Sequence, residues 1–293
     1  SVIDGFTIIN CYVEGEESDG AGLWARGNIT IRNCNFVTNT ASGITTMGGG
    51  IFLETATASL IDCVFDDNHS GYWGGGVAAQ YVPPVVTNCT FTNNSSKYGG
   101  GLSVHQSWGL EDRQLLLSGC DFSGNSAYHG GGLSQIIDSG SILTDCNFTE
   151  NTAIFSGGGI NTSSSQGTVL INCSLVDNTV TQGDYTGGGA IYTGFTESFV
   201  LNNCSMSGNE SPNADGIFAY YTTVVVKGAN TSDELLFDTT NVGLGLGEHS
   251  FSSLYFTTDS FCDVFGDVTP SPFATTNFEL DDLSTDNILD VFG

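Results

Sequence analysis

Apolar positions along this chain come in short bursts that restart every 23 to 31 residues, each burst built around a cysteine. The anchors are Cys11, Cys34, Cys63, Cys89, Cys120, Cys146, Cys173 and Cys204. Three positions before them stand Ile8, Ile31, Leu60, Val86, Leu117, Leu143, Leu170 and Leu201. Two positions after them stand Val13, Phe36, Phe65, Phe91, Phe122, Phe148, Leu175 and Met206. A straight strand places inward residues two apart. Here an inward residue and the cysteine are three apart. The residue just before the cysteine is Asn10, Asn33, Asp62, Asn88, Gly119, Asp145, Asn172 or Asn203, all types that tolerate left-handed φ. The pattern predicts a corner between two short strands in every copy. Asparagines stacked at such corners can hydrogen-bond from one copy to the next.

A third segment follows ten to fourteen residues later as a glycine run ending in an apolar residue. Its copies are Gly50-Ile51, Gly76-Val77, Gly101-Leu102, Gly132-Leu133, Gly159-Ile160 and Gly189-Ala190, with weaker ones at Gly22-Leu23 and Gly216-Ile217. Three short strands and three turns per repeat make one coil of a solenoid. The expected fold is all-β: a right-handed parallel β-helix of about eight to nine coils over residues 1–229, its hand following the preference of parallel crossovers. A degenerate ninth copy is Val224-Val225-Val226, with Ala229 where the cysteine would fall. Forty glycines and the absence of a sustained 3.6-residue apolar period argue against helix.

The glycine element combines with a Phe-x-x-Asn element at Phe36–Asn39, Phe65–Asn68, Phe91–Asn94, Phe122–Asn125 and Phe148–Asn151, with variants at Leu175–Asn178 and Met206–Asn209. Together they resemble the repeats of chlamydial polymorphic outer-membrane proteins and related β-helix surface proteins. The resemblance covers residues 1 to about 229 and implies a right-handed β-helix on a cell surface, in adhesion or as a stalk. This chain departs in reading Gly-Gly-Gly where that family mostly reads Gly-Gly-Ala, and in carrying no C-terminal membrane-barrel signature.

Residues 230–293 break the repeat. They hold twelve acidic residues, no Lys or Arg and eight Phe, as expected of a C-terminal cap or an assembly segment. The start, Ser1-Val2-Ile3-Asp4-Gly5-Phe6, lies inside a repeat and lacks a basic leader region, as in a mature end or a piece of a larger chain.

The charge is −27, from 32 acidic and five basic residues, which disfavours nucleic acid and anionic membrane as partners. Ca²⁺ association is compatible with that charge, but no motif specifies a site, and no other cofactor is implied. Coils stacked about 4.8 Å apart would set the cysteines side by side. That arrangement fits a ladder of buried free thiols better than relaxed disulfides. Scattered histidines and the lack of Cys-x-x-Cys argue against metal. Cys262 falls outside the ladder.

Eleven Asn-x-Ser/Thr sequons occur. Those at Asn88, Asn172 and Asn203 belong to the repeat's Asn-Cys-Ser/Thr triplet, and Asn94 and Asn147 are also sequons. The candidates for N-glycosylation outside the triplet are Asn28, Asn68, Asn93, Asn161, Asn209 and Asn230. They point to an extracellular or cell-surface protein.

Catalytic chemistry is hard to assemble. A polysaccharide lyase needs basic groups near its substrate's carboxylate, and here Arg26 and Arg32 are one coil side apart while the other three are isolated. A glycosidase needs two carboxylates across a cleft, and Asp66-Asp67 and Glu111-Asp112 fall in turns. His129, before Gly130, belongs to the repeat. Tyr72, Trp73, Tyr98, Trp108 and Tyr128 gather near the glycine segments, where they either cover turns, the simpler reading, or form an edge for sugar or protein contact. The expectation is a non-catalytic structural solenoid of a surface filament, stalk or appendage, with self-association or other filament subunits as partners. An adhesin or glycan-binding module, and a polysaccharide lyase or glycosidase, are the alternatives.

Overall fold

The computed structural model describes residues 1–15, 19–55, 57–105, 113–136, 140–163, 165–182, 187–220, 222–227, 230–231, 235–237, 253–256, 261–262 and 278–280. Every strand pair in it is parallel, and the chain winds as a right-handed β-helix of about seven turns, close to the eight to nine coils expected. One coil shows the plan. Ile29–Arg32 lies on a leucine face, Asn35–Val37 on a phenylalanine face, Thr40–Ser42 on a short face and Ile51–Glu54 on a glycine face. Stacked coils extend these into sheets of eleven strands on the leucine face, ten on the phenylalanine face and nine on the glycine face. The short face is the difference from the three-sided coil read in the sequence. It consists of two three-stranded sheets bridged through His69, Ser95 and Ser126. Its strands, such as Thr40–Ser42 and His69–Ser70, are short and made mostly of small or polar residues, so no apolar alternation marks them.

Two corners flank the phenylalanine face, and both use the left-handed region. Asn33, Asp62, Asn88, Asp145, Asn172 and Asn203 have φ between 52° and 54°, and Gly119 has 61°. The second corner is formed by Asn10, Thr38, Asp67, Asn93, Glu150 and Asp177, with φ between 51° and 56°, together with Gly124 and Gly208. Each corner residue is followed by an inward one, so Ile31, Cys34, Phe36 and Asn39 all point to the axis.

That shared grammar misplaced the first coil in the sequence reading. Ile3, not Ile8, pairs with Ile31, and Ile8 pairs with Phe36. Cys11 therefore leaves the cysteine ladder and enters the asparagine row, its backbone N–H donating to Asn39 Oδ1 at 3.0 Å. The position of Cys34 is held one coil earlier by Phe6, whose carbonyl accepts from Asn35 as the Cys34 carbonyl accepts from Val64. The ladder proper runs Cys34, Cys63, Cys89, Cys120, Cys146, Cys173 and Cys204, all buried free thiols. Each thiol points at the carbonyl two residues earlier, such as Ile61 O for Cys63 at 3.2 Å and Thr144 O for Cys146 at 3.3 Å.

Two further ladders fill the axis. Phe36, Phe65, Phe91, Phe122 and Phe148 form a column of rings with centroids 4.6–5.2 Å apart and planes within 11° of parallel. Leu175 and Met206 continue it. Beside it runs a buried asparagine ladder through Asn39, Asn68, Asn94, Asn125, Asn151, Asn178 and Asn209. Each amide bridges its neighbours. Asn94 Nδ2 donates to Asn125 Oδ1 at 3.0 Å and to the Phe65 carbonyl at 2.9 Å. The corner then leaves no orphaned polar group in an apolar core, where one would cost about 1–3 kcal/mol.

The glycine triplet has a separate reason at each place. Gly130 sits at φ +67°. A Cβ on Gly131 would lie 2.4 Å from the Gly158 carbonyl oxygen and 2.7 Å from the Thr152 backbone. A Cβ on Gly132 would meet both Phe148 Cδ1 and the Gly159 carbonyl oxygen at 2.9 Å. The last triplet corrects the sequence reading by one residue. Ile160 pairs with Ile191, so the matching unit is Gly188-Gly189-Ala190 and Ile191, not Ala190, is the anchor. Alanine enters where the ring column has given way to Leu175 and Met206.

Beyond Thr231, strands Leu235–Phe237, Ser253–Phe256, Phe261–Cys262 and Phe278–Leu280 pair in parallel onto existing sheets. Cys262 is in register with Thr231 on the phenylalanine face, outside the cysteine ladder. Ala229 lies outside the described residues. The pairs on either side of it, Asn202 with Lys227 and Ser205 with Asn230, keep the coil register.

Candidate functional site

The residue immediately before each glycine triplet faces the same way, because the left-handed first glycine fixes the turn after it. Met47, Trp73, Tyr98 and His129 are bridged to one another in that order by parallel bridges. One residue earlier, Tyr72, Lys97 and Tyr128 form an outer row, tied by hydrogen bonds from Tyr98 N to Tyr72 O and from Tyr128 N to Lys97 O. The result is a ridge of rings along the edge between the short and glycine faces. Tyr72 lies 5.3 Å from both Trp73 and Tyr98, and Tyr98 stacks on His129 at 5.1 Å with 12° between planes. His105 packs on Trp73 at 4.4 Å, and Phe155 meets Tyr128 and His129. Tyr128 and Phe155 are 45% and 38% exposed, so ring surface is offered to solvent.

The ridge is locally basic in an acidic protein. Lys97 Nζ lies 5.1 Å from the Tyr72 centroid and 5.5 Å from that of Tyr98. Cations over ring faces contribute about 0.5–1 kcal/mol at exposed sites. His69 Nδ1 is 2.9 Å from Ser95 Oγ, and His129 Nδ1 is 2.8 Å from Ser156 Oγ. Burial, and then the charge of Lys97, hold the His129 imidazole below its ordinary pKa. The stretches that carry the ridge's rings, residues 68–105, 122–136 and 151–163, contain no Asp or Glu, while at the Met47 end of the row Asp19 Oδ1 accepts from the Met47 N–H at 2.8 Å.

Of the five aromatics singled out in the sequence, Tyr72, Trp73, Tyr98 and Tyr128 come together, and Trp108 lies outside the described residues. The sequence reading missed Lys97, His69, His105 and Phe155 as members, and it took His129 only as a part of the repeat. The available signal was the fixed place just before the first glycine, shared by Trp73, Tyr98 and His129.

The other candidates do not converge. Arg26 makes a two-pronged ion pair with Glu54 at 2.8 Å, and Arg32 pairs with Asp4 at 2.8 Å. Each carboxyl sits below its ordinary pKa, through hydrogen bonds from Arg26 for Glu54 and from Asn33 and Arg32 for Asp4. Asp66 accepts from Asn93, Asp67 is an exposed corner residue, and Glu111-Asp112 lie outside the described residues. Among the described residues no group of three His, Cys, Asp or Glu is placed to hold a metal ion. No helix among them is long and apolar enough to cross a membrane.

The candidate glycan acceptors divide by burial. Asn28 and Asn93 are exposed. Asn68 and Asn209 are members of the buried ladder, and Asn161 is also buried, its Nδ2 turned to Ser134, so a glycan at any of these three would break the fold. The exposed sequons include Asn88, Asn172 and Asn203 of the Asn-Cys-Ser/Thr triplet, because that asparagine is a corner. Nothing is described of the Asn230 side chain.

No curated protein and no solved structure matches this chain. Residues 2–110 match the family described as "Right handed beta helix region", in agreement with the coil geometry.

Proposed function

We propose that this chain is an extracellular, non-catalytic structural β-solenoid, a building block of a surface filament, stalk or appendage. The observation that carries the reading is the continuity of the three axial ladders from coil to coil. Such ladders extend by addition of further coils, and each coil offers the next one the same hydrogen-bonding edge. The exposed sequons and the likeness to chlamydial surface repeats support an extracellular place. Electron microscopy of the purified full chain over a range of concentrations tests it. End-to-end particles or fibres are expected, and a strictly monomeric particle at every concentration overturns the filament.

A second reading, an adhesin or glycan-binding surface module, is favoured by the aromatic ridge, since exposed ring faces beside hydrogen-bonding groups suit saccharide stacking. Catalysis is tested by release of unsaturated products from uronate polymers, which would overturn the non-enzymatic reading.

A further inference from the structure

Resting on the glycan-binding reading, we propose that the ridge is a binding site for a carboxylated polysaccharide lying along the solenoid axis, with Lys97 as its charge partner. Three observations converge. Lys97 stands between Tyr72 of the preceding coil and Tyr128 of the following one, so a cation is flanked by aromatic surface on both sides along the axis. The Lys97 ammonium faces ring faces, in stretches free of acidic residues, in a chain whose charge is otherwise −27. The net charge of −27 opposes polyanions at long range, but beyond the Debye length of about 8 Å it is largely screened, so the charges nearest Lys97 weigh most in docking.

Geometry selects a sugar polymer over an acidic peptide. Coils repeat every 4.8 Å or so, close to the length of one pyranose residue, so successive sugars meet successive rungs of the ridge. The C–H face of a pyranose stacks on a ring such as Tyr128, which a peptide carboxylate cannot do. A carboxylate on the sugar then reaches Lys97 as a charge-assisted contact. A neutral glycan would leave the lysine without a counterpart.

The probes are hyaluronan, its carboxyl methyl ester and polyglutamate, tested by calorimetry or glycan-affinity electrophoresis on the full chain. Hyaluronan is expected to bind, with the ester and polyglutamate at least tenfold weaker. Lys97→Gln and Tyr128→Ala are each expected to weaken hyaluronan at least fivefold with unchanged melting temperature. Trp24→Ala, which alters an exposed ring beside the carboxylate-paired Arg26, is expected to leave binding unchanged. Equal binding of the ester overturns the carboxylate assignment while leaving a glycan site. Equal binding of polyglutamate overturns the sugar assignment. No binding of any probe, or binding indifferent to both ridge variants, overturns the site itself.

Discussion

Asn125 gives two hydrogen bonds to a single oxygen of Asn151, one from its backbone N–H at 3.1 Å and one from Nδ2 at 2.9 Å. Its own Oδ1 receives the same pair from Asn94 at 2.9 Å and 3.0 Å. The ladder therefore satisfies backbone donors at a corner where no strand partner exists. Asn125→Leu would orphan the buried Asn94 backbone N–H and take one partner each from Asn94 Nδ2, Asn151 Oδ1 and the Phe91 carbonyl. A loss of about 2–3 kcal/mol is expected from one buried donor left unpaired and three groups that each lose a partner. Chemical denaturation would show it as a lower midpoint, whereas Asn93→Gly, at an exposed corner with φ 56°, should change stability by less than about 1 kcal/mol.

The ring column and the glycine triplet constrain each other through Gly132 and Phe148. Gly132→Ala is expected to cost about 1–3 kcal/mol by overpacking. Combined with Phe148→Leu it should cost less than the sum of the two, because the ring atom at 2.9 Å is gone and only the Gly159 carbonyl contact remains. Positions Ala190 and Met206 already show this pairing in the native chain. Gly131→Ala should prevent folding in both backgrounds, since the Gly158 carbonyl oxygen and the Thr152 backbone stand within 2.7 Å of the new carbon. A double-mutant cycle by thermal melting reads the first two, and the absence of a cooperative melt reads the third.

Expression in a glycosylating host should place glycans only at exposed sequons. Asn28 and Asn93, with Asn88, Asn147, Asn172 and Asn203, are the expected acceptors. Asn68, Asn94, Asn161 and Asn209 should be unmodified in the folded protein, since they are buried. Glycopeptide mass spectrometry decides this site by site.

His129 makes the ridge sensitive to acid. Its pKa is held down in the folded state by burial and by Lys97, so the neutral imidazole is favoured. A depressed folded pKa means that its contribution is fully present above the unfolded value of about 6.5 and is lost as pH falls through the folded value. Melting temperature should therefore fall in this range, and His129→Gln should flatten the part of the slope that belongs to this residue. Hydrogen-exchange protection around Tyr98 and Ser156 should fall over the same window.

Most of the fold was legible because the solenoid repeats its instructions. Left-handed corners were readable from Asn, Asp and Gly before each cysteine, and the inward rows of Leu and Phe from their spacing. Two errors have separate causes. Cys11 was placed with Cys34 because a local pattern defines a corner but not its order along the coil, and Ala190 was taken as the anchor because Gly187 extends the glycine run by one residue. Ile31-Arg32-Asn33-Cys34 and Phe36-Val37-Thr38-Asn39 carry the same apolar, polar, corner, inward sequence. Only hydrogen-bond register between coils separates the two.

The sequence by itself determined the repeat, the corners, the glycine turns and the apolar column, since each depends on backbone preferences within a few residues. Tertiary structure alone decided which coil positions stack. It put Asn68 and Asn209 in a buried ladder rather than under glycans, and it gathered Lys97, Tyr128 and His129 into one ridge. Residues about 25 to 30 apart in the chain become neighbours about 4.8 Å apart along the axis, so their chemistry exists only once coils are in register.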